Sequence, residues 1–409
     1  MSANRPGLIG LGVGLGVAGA AAAAGIVADR THRRRAEALE TGVSLVERPS
    51  RELVVEASDG VLLHVEVDEP APENDDDTNR RTTVVMSHGY CLTSECWIFQ
   101  RRYLKWAGYR VVVWDQRGHG RSGHGTAESY TIAQLAEDLV SVLDATAPEG
   151  PLVLVGHSMG GMCTMALGTL HPDLVQQRVV ALGCVSTSAG GIPLAATGFV
   201  TAAGRILIER LGPRVAGLFE NRPELLRSIL SANSELADFL VERYSFASPV
   251  PRSVVKLAAK MILGTNLTVM SSFTPAFDEY DQTAGLEAYK GCETLVFNGE
   301  KDVLTPPEHS DAIVRALPGA QHVIVRDAGH LIMLEHPDLL NQQLEALVSR
   351  AASPLPATAE PRVRRIVTDT GKRRRIERGL ERMDRDRSAR HSARASRSSR
   401  PSLERSEAS

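Results

Sequence analysis

The segment Leu152-Val-Leu-Val-Gly-His-Ser-Met-Gly-Gly161 decides the fold class. Its first four residues form an apolar run typical of a buried strand, and a helical pattern follows over Met159–Leu170. Between the two lies Ser158, in a Gly-X-Ser-X-Gly motif. A tight strand-to-helix turn here projects the serine hydroxyl clear of the sheet and points the helix N-terminus at it. The segment therefore predicts a nucleophilic serine on a strand–turn–helix elbow.

The flanking sequence alternates between strand and helix patterns. Period-two alternation predicts a β-hairpin with strands Glu52–Ala57 and Val61–Val67, and amphipathic patterns such as Thr131–Leu143 lie between most later strands. Continuous apolar strands alternating with helices predict an α/β fold, a doubly wound, mostly parallel β-sheet covered on both faces. The strand candidates are Thr83–Met86, Arg110–Trp114, Leu152–Val155, Val179–Val185, Thr294–Phe297 and His322–Val325.

Composition divides the 409 residues into five segments. Residues 1–50 hold a Gly/Ala-rich membrane-anchor candidate and a basic linker. Residues 51–187 and 291–350 form the two parts of the core, and 188–290 form a helical cap, or lid, inserted between two sheet strands. Residues 351–409 have few apolar side chains, which predicts a basic, disordered tail with a short helix near Arg373–Met383.

Charge and cysteine usage exclude several classes of protein. The net charge is −3, but residues 351–409 carry 16 Lys and Arg against 8 Asp and Glu, which leaves the rest of the chain acidic. An acidic body argues against a nucleic-acid-binding core, so no nucleic-acid partner is expected. The five cysteines are scattered and lack zinc-site spacing, so neither a disulfide framework nor a metal site is predicted.

Residues Gly7–Ala28 carry no charge, and as a helix they would span roughly 33 Å, the thickness of a bilayer core. One arginine precedes the stretch and four follow, which predicts a membrane anchor with the body of the chain in the cytoplasm. Secretion through an N-terminal signal and a soluble cytoplasmic protein remain alternatives. Gly14-Leu-Gly16-Val-Ala-Gly19 also fits a dinucleotide fingerprint, but no convincing second strand follows it.

A nucleophilic serine needs a base, and the base needs a carboxylate to orient it. Asp302 follows the strand candidate Thr294–Phe297, and His330 follows His322–Val325. Both therefore fall at the carboxyl ends of strands, where open α/β sheets bind ligands. Glu300 is the nearest alternative for the acid.

The tetrahedral intermediate requires preformed N–H donors for its oxyanion. We assign these to the backbone of Met159, directly after the nucleophile, and of Tyr90, in the loop Ser87-His-Gly-Tyr90. His88 in the same loop precedes the serine in the chain, so we expect it to buttress the loop and not to act as the base.

Five motifs together resemble the α/β-hydrolase fold superfamily, in its serine branch with a helical cap. That branch includes esterases, lipases, thioesterases and cofactor-free haloperoxidases. Haloalkane dehalogenases and most epoxide hydrolases carry Asp where this chain has Ser158, so the resemblance implies acyl transfer. The motifs cover about Arg51 to Arg350 and are Ser87-His-Gly-Tyr90, Asp115-Gln-Arg-Gly-His-Gly-Arg-Ser122, Gly156-His-Ser-Met-Gly-Gly161, Gly299-Glu-Lys-Asp302 and Gly329-His330.

The resemblance implies that Asp115–Ser122 is structural and that the lid selects the substrate. Candidate substrate contacts are Met270, Phe273, Leu331 and Met333. We predict a serine hydrolase for an ester or thioester of a small, moderately apolar acyl substrate, without a metal or organic cofactor. The alternatives are a cofactor-free haloperoxidase or perhydrolase, and a non-enzymatic ligand receptor on a hydrolase scaffold.

Overall fold

The computed structural model describes residues 31–42, 44–70, 82–190, 235–278, 280–351 and 364–398. The chain divides into two compact units. The larger unit comprises residues 43–248 and 253–369, and the smaller comprises 1–42, 249–252 and 370–409. Every predicted catalytic residue lies in the larger unit.

One β-sheet organises the larger unit. Within the described residues it has nine strands in the order β1-β2-β4-β3-β5-β6-β7-β8-β9. β1 and β2 form an antiparallel hairpin, β2 is antiparallel to β4, and the later neighbours are parallel. The strands are β1 (Arg51–Glu56), β2 (Leu62–Asp68), β3 (Thr83–Ser87), β4 (Arg110–Trp114), β5 (Leu152–His157), β6 (Val179–Val185), β7 (Glu293–Gly299), β8 (Gln321–Val325) and β9 (Arg365–Val367).

Helices fill the connections between strands. Their amphipathic spacing explains the packing: Leu135, Leu139 and Val142 all lie buried on one helix, whose first turn is capped by Thr131. The helices are α1 (31–39), α2 (Ile98–Trp106), α3 (Ile132–Thr146), α4 (Met159–Leu170), α5 (Pro172–Arg178), α6 (Glu235–Ser245), α7 (Arg252–Gly264), α8 (Leu267–Phe273), α9 (Pro275–Asp278), α10 (Pro307–Ala316), α11 (Ile332–Glu335), α12 (Pro337–Ala351) and α13 (Thr370–Ser398), with 3-10 turns at Ser94–Trp97, Ala127–Ser129 and Thr283–Tyr289.

The predicted fold class is confirmed. All six predicted strands of the α/β alternation are present with ends shifted by at most two residues, and α4 has the predicted bounds. Between β6 and β7, in the segment predicted to form the lid, the described elements are helices and a 3-10 turn, and 191–234 lie outside the described part of the chain.

The structure corrects the expectation of disorder after residue 350. The short strand β9 extends the sheet by pairing in parallel with β8. Helix α13 is far longer than the short helix predicted near Arg373–Met383. Residues of opposite charge four positions apart, such as Arg373 and Glu377, lie on the same face of this helix, a spacing that favours helix formation where there is little apolar surface. Residues 352–363 and 399–409 lie outside the described chain.

Within the smaller unit, α13 packs closely on α1. A Cβ added at Gly379 would lie 2.1 Å from the carbonyl oxygen of Ala38, so only glycine allows this approach. Arg34 and Asp384 form an ion pair at 2.8 Å across the same pair of helices. Sequence patterns of charge could not reveal this contact, because its partner lies about 340 residues earlier in the chain.

The predicted anchor, residues 7–28, lies outside the described chain. In the part that is described, no individual helix combines the length and apolar character needed to cross a bilayer. One bent pair, Arg252–Gly264 with Leu267–Phe277, meets the length and composition criteria jointly, with 78° between its two helices.

Candidate active site

Ser158 occupies the turn between β5 and α4, in a backbone conformation that few side chains adopt. Its φ is +50° and its ψ is −118°. The turn is possible only because its neighbours are glycines. A Cβ at Gly156 would lie 2.4 Å from the Cα of Gly161, and one at Gly160 would lie 2.2 Å from the carbonyl oxygen of Ser87. Glycine is therefore required two residues before and two residues after Ser158, because a side chain at either position would clash with neighbouring backbone atoms.

Hydrogen bonds fix this strained turn from both sides. The Ser158 N–H donates to the carbonyl of Val185 at 3.1 Å. The Ser158 carbonyl accepts from the Thr187 hydroxyl at 2.7 Å and from the Gly161 N–H at 2.9 Å. The residue is buried, with 6% of its surface exposed. The surrounding structure thus holds the serine in a conformation that it would not adopt alone.

His330 and Asp302 meet at the carboxyl ends of β8 and β7. The His330 Nδ1 lies 2.9 Å from Asp302 Oδ2 and 3.1 Å from Oδ1. Burial alone would raise the pKa of Asp302, but the charge and hydrogen bond of His330 and the N–H groups of Leu304 and Thr305 outweigh it, so the pKa is lowered. The carboxylate therefore stays ionised and orients the imidazole.

His330 is also held next to the elbow. Its carbonyl accepts a hydrogen bond from Nε2 of His157, the residue before Ser158, at 3.0 Å. The two imidazole rings lie 4.7 Å apart between centroids. Burial lowers the pKa of His157, so that ring is neutral. The structure therefore places the His330–Asp302 pair beside His157, the residue that precedes Ser158, at the carboxyl ends of three strands.

The predicted oxyanion loop runs beside the serine. A Cβ added at Gly89 would lie only 3.1 Å from the Cβ of Ser158, so the loop passes close beside the serine and leaves little room for a side chain at this position. The Tyr90 hydroxyl donates to the carbonyl of Met270 at 2.6 Å, which fixes the loop against α8 of the lid. Because α4 begins at Met159, the N–H of that residue has no carbonyl partner within the helix.

His88 has both ring nitrogens engaged within this loop region. Its Nδ1 donates to the Gly89 carbonyl at 2.8 Å, and its Nε2 accepts from the Gln116 N–H at 2.9 Å. Burial lowers the pKa of His88, so it is neutral and cannot serve as an accessible base. Asp115 plays a similar structural part, because its carboxylate accepts the N–H groups of Ser94 and Arg121.

The four candidate substrate contacts differ in accessibility. Met270 is half-buried on α8, whereas Leu331 is buried and Phe273 and Met333 have no exposed surface. Phe273 packs on the rings of Tyr130, His119 and Tyr90, at 4.9, 5.7 and 6.2 Å between centroids. Its role in this structure is therefore to hold the lid on the oxyanion loop, and contact with substrate would require the lid to move.

Two polar residues of the site were not identified from the sequence. Thr305 donates its hydroxyl to Asp302 Oδ2 at 3.0 Å and lies 3.4 Å from His330 Nδ1. Glu335 accepts the N–H of Gly329, directly before the catalytic histidine, at 2.7 Å. Their proximity to Asp302 and His330 in sequence was the available signal. Glu300, the alternative acid, is exposed.

One cluster in the described chain has metal-ligand chemistry, namely Glu52, His64 and Glu66 on the hairpin. His64 Nε2 already contacts the Glu52 carboxylate at 2.7 Å. The guanidinium of Arg121 pairs with both glutamates, at 2.5 Å from Glu52. This arginine supplies the positive charge that a cation would bring, so the cluster is an ion-pair network.

Comparison with known proteins places these observations in context. The model of the family described as alpha/beta hydrolase fold matches residues 82–337. A putative carbamate hydrolase, RutD, of Caulobacter sp. (strain K31) is 26% identical over 280 residues, which cover 67% of this chain and 92% of the relative. Epoxide hydrolase B of Mycobacterium tuberculosis is 36% identical over 115 residues, only 28% of this chain and 30% of that protein.

Among solved structures, a thermophilic esterase from Thermogutta terrifontis has the same fold, with a TM-score of 0.54 and 24% identity. The alignment covers 74% of this chain and 99% of the esterase.

Proposed function

The chain belongs to the alpha/beta hydrolase fold family and is an enzyme of that family; we propose that it is a serine hydrolase that cleaves small-molecule esters or thioesters. The observation that carries the proposal is the buried His330–Asp302 pair, 2.9 Å apart, beside a strained serine elbow. A serine held in this way has a base and an orienting carboxylate, which is what nucleophilic acyl transfer needs.

The proposed reaction uses Ser158, His330, Asp302 and two backbone N–H groups. The Ser158 Oγ attacks the carbonyl carbon while His330 Nε2 takes the hydroxyl proton, and Asp302 stabilises the imidazolium through Nδ1–H. Backbone N–H groups of Met159 and Tyr90 stabilise the oxyanion. The intermediate collapses, His330 returns the proton to the leaving alcohol or thiol, and an acyl-enzyme remains. Water, deprotonated by His330, then releases the acid and regenerates Ser158.

The side chains near the site favour an uncharged acyl group. Leu331, directly after His330, and Met270, on α8 beside Tyr90, present apolar side chains near the predicted catalytic residues. The Asp302 carboxylate is fully engaged by the N–H groups of Leu304 and Thr305 and by His330. A phosphate or free sugar would need charged or multiple polar partners, which these apolar side chains of the described lid and histidine loop do not provide. The relative named as a putative carbamate hydrolase supports an acyl bond as the target, since a carbamate also contains a carbonyl.

The partial match to an epoxide hydrolase favours no second function. Opening an epoxide by the covalent route forms an alkyl ester on a carboxylate nucleophile, and this chain has a serine at the elbow. The serine hydroxyl is suited to a carbonyl carbon, because its oxyanion intermediate can be stabilised by the two backbone N–H groups.

We expect the full-length protein to react with a fluorophosphonate probe and to hydrolyse 4-nitrophenyl esters at rates that depend on acyl length. The panel runs from acetate to decanoate and includes an aryl carbamate and an epoxide. Faster turnover of esters than of the other two supports the proposal. Peracid formation that outpaces hydrolysis in the presence of peroxide would favour a perhydrolase. Stoichiometric capture without turnover would favour a receptor.

We also propose that residues 7–28 attach the protein to a membrane, with Ser158 in the cytoplasm. The four arginines that follow the uncharged stretch support this orientation, and so does the burial of all five free cysteines as thiols. We expect the protein in the membrane fraction and protected from protease added outside intact cells. Digestion of the catalytic unit from outside contradicts the orientation, and full recovery in the soluble fraction contradicts the anchor.

A further inference from the structure

Two segments far apart in sequence meet at a single buried carboxylate. One is the loop that carries His330, between β8 and α11. The other is residues 245–248, where lid helix α6 ends. The carboxylate belongs to Glu335 at the end of α11, and its side chain has no exposed surface.

Each of the two carboxylate oxygens of Glu335 accepts hydrogen bonds from one of these segments. Its Oε2 accepts the N–H of Gly329 at 2.7 Å. Its Oε1 accepts the N–H of Ala247 at 3.0 Å and both the N–H and the hydroxyl of Ser248, the hydroxyl at 2.6 Å. A carboxylate is purely an acceptor, so it satisfies these four donors at once, and hydrogen bonds to a charged group are the stronger kind.

The two segments also touch directly. The N–H of Leu331 donates to the Ser245 carbonyl at 3.1 Å. A Cβ added at Gly329 would lie 2.7 Å from that same carbonyl oxygen and 3.1 Å from the Ala247 nitrogen. The residues on either side of His330 are therefore both held by the end of the lid helix, which leaves the histidine backbone little freedom.

We propose that Glu335 is a positioning residue, which fixes His330 in its reactive place by tying the histidine loop to the end of lid helix α6. The inference rests on the proposed serine hydrolase, in which His330 is the base. Because Glu335 ties the two segments together, the position of the His330 imidazole depends on lid helix α6, and a displacement of that helix also displaces the imidazole. A shift of about 1 Å in such a group costs on the order of 100-fold in rate.

Glu335→Gln tests the proposal with a nearly isosteric change. One glutamine oxygen can still accept, but its NH₂ group must face the donors of one segment, so the tie is broken on that side. We expect kcat to fall about 10- to 100-fold on every ester, including acetate, with KM changed less than threefold. The rate of phosphonate labelling should fall by the same factor.

A matched control separates positioning from folding. Glu293→Gln alters another buried glutamate, at the start of β7, which pairs with Arg350 at 2.9 Å. We expect it to lower the melting temperature and to leave kcat unchanged. Equal kcat in Glu335→Gln and Glu293→Gln, measured well below both melting temperatures, overturns the proposal.

Failure of this proposal can be distinguished from failure of the proposed function, because wild-type turnover is measured first. A wild-type protein without ester turnover contradicts the proposed function, whereas normal turnover in Glu335→Gln contradicts only the role of Glu335. Should that variant not accumulate in folded form, Glu335→Asp keeps the charge but shortens the reach. A wild-type kcat in the aspartate variant then equally rejects the proposal.

Discussion

Replacing Ser158 with alanine is expected to abolish covalent labelling by a serine-directed phosphonate and to lower ester turnover by roughly 10⁴-fold or more. The hydroxyl is the atom that forms the acyl-enzyme, and the rest of the site cannot substitute for it. Fold and stability should change little, because alanine keeps the Cβ and leaves the strained backbone at φ +50° unaltered. Mass spectrometry of the labelled protein and steady-state kinetics measure the two effects.

A second buried Ser–His pair provides the control. Ser188 lies after β6, and its hydroxyl is 2.7 Å from Nδ1 of His309. Burial lowers the pKa of His309, and neither residue has exposed surface. Ser188→Ala should therefore retain full labelling. Labelling that survives Ser158→Ala but is lost in Ser188→Ala would show that the nucleophile is Ser188 and not Ser158.

The fold was predictable because each central strand is buried along its length. The apolar residues of β5, for instance, form an uninterrupted run that ends at the elbow glycine, so sequence alone marks where the strand stops. Once the strand ends are known, parallel topology brings the following residues to one edge of the sheet. That is why Asp302 and His330 could be predicted to lie together without any contact information, and the structure places them 2.9 Å apart.

The contacts between elements were not predictable in the same way. Apolar pattern predicts that Phe273 is buried, but it does not show that the ring packs on Tyr130. Likewise, the sequence of α13 indicates little apolar surface, and it does not show that the helix approaches Ala38 closely at Gly379. Hydropathy indicates whether a residue tends to be buried, but it does not indicate which distant residue it packs against, and the positions of Phe273 and Gly379 depend on such distant partners.

Polar positioning residues are the hardest to predict. Glu335 and Thr305 resemble ordinary helix and loop residues, and their importance comes from the donors and acceptors that surround them. A buried carboxylate must have its charge satisfied, but the sequence does not state which N–H groups will do so. Such residues emerge only when the hydrogen-bond partners of each buried group are examined in three dimensions.

Asp302→Asn is expected to lower kcat by about 10⁴-fold while the loop keeps its shape. Oδ1 of Asp302 accepts the N–H groups of Leu304 and Thr305, at 2.9 and 3.0 Å, and an asparagine oxygen placed there preserves both bonds. The asparagine NH₂ group then occupies the position of Oδ2, which in the wild-type structure lies 2.9 Å from His330 Nδ1. A donor at this point forces Nδ1 to accept, which leaves the proton on Nε2.

An imidazole with its proton on Nε2 cannot take the proton of Ser158, so the loss appears in kcat and in the phosphonate labelling rate alike. Glu300→Gln is the matched control, because it removes a carboxylate two residues away that is exposed to solvent. We expect its kcat to stay within about twofold of wild type, as for most exposed side chains. A large loss in Glu300→Gln together with near-normal turnover in Asp302→Asn would show that the acid of the triad is Glu300, since only the carboxylate that sets the tautomer of His330 produces this pattern.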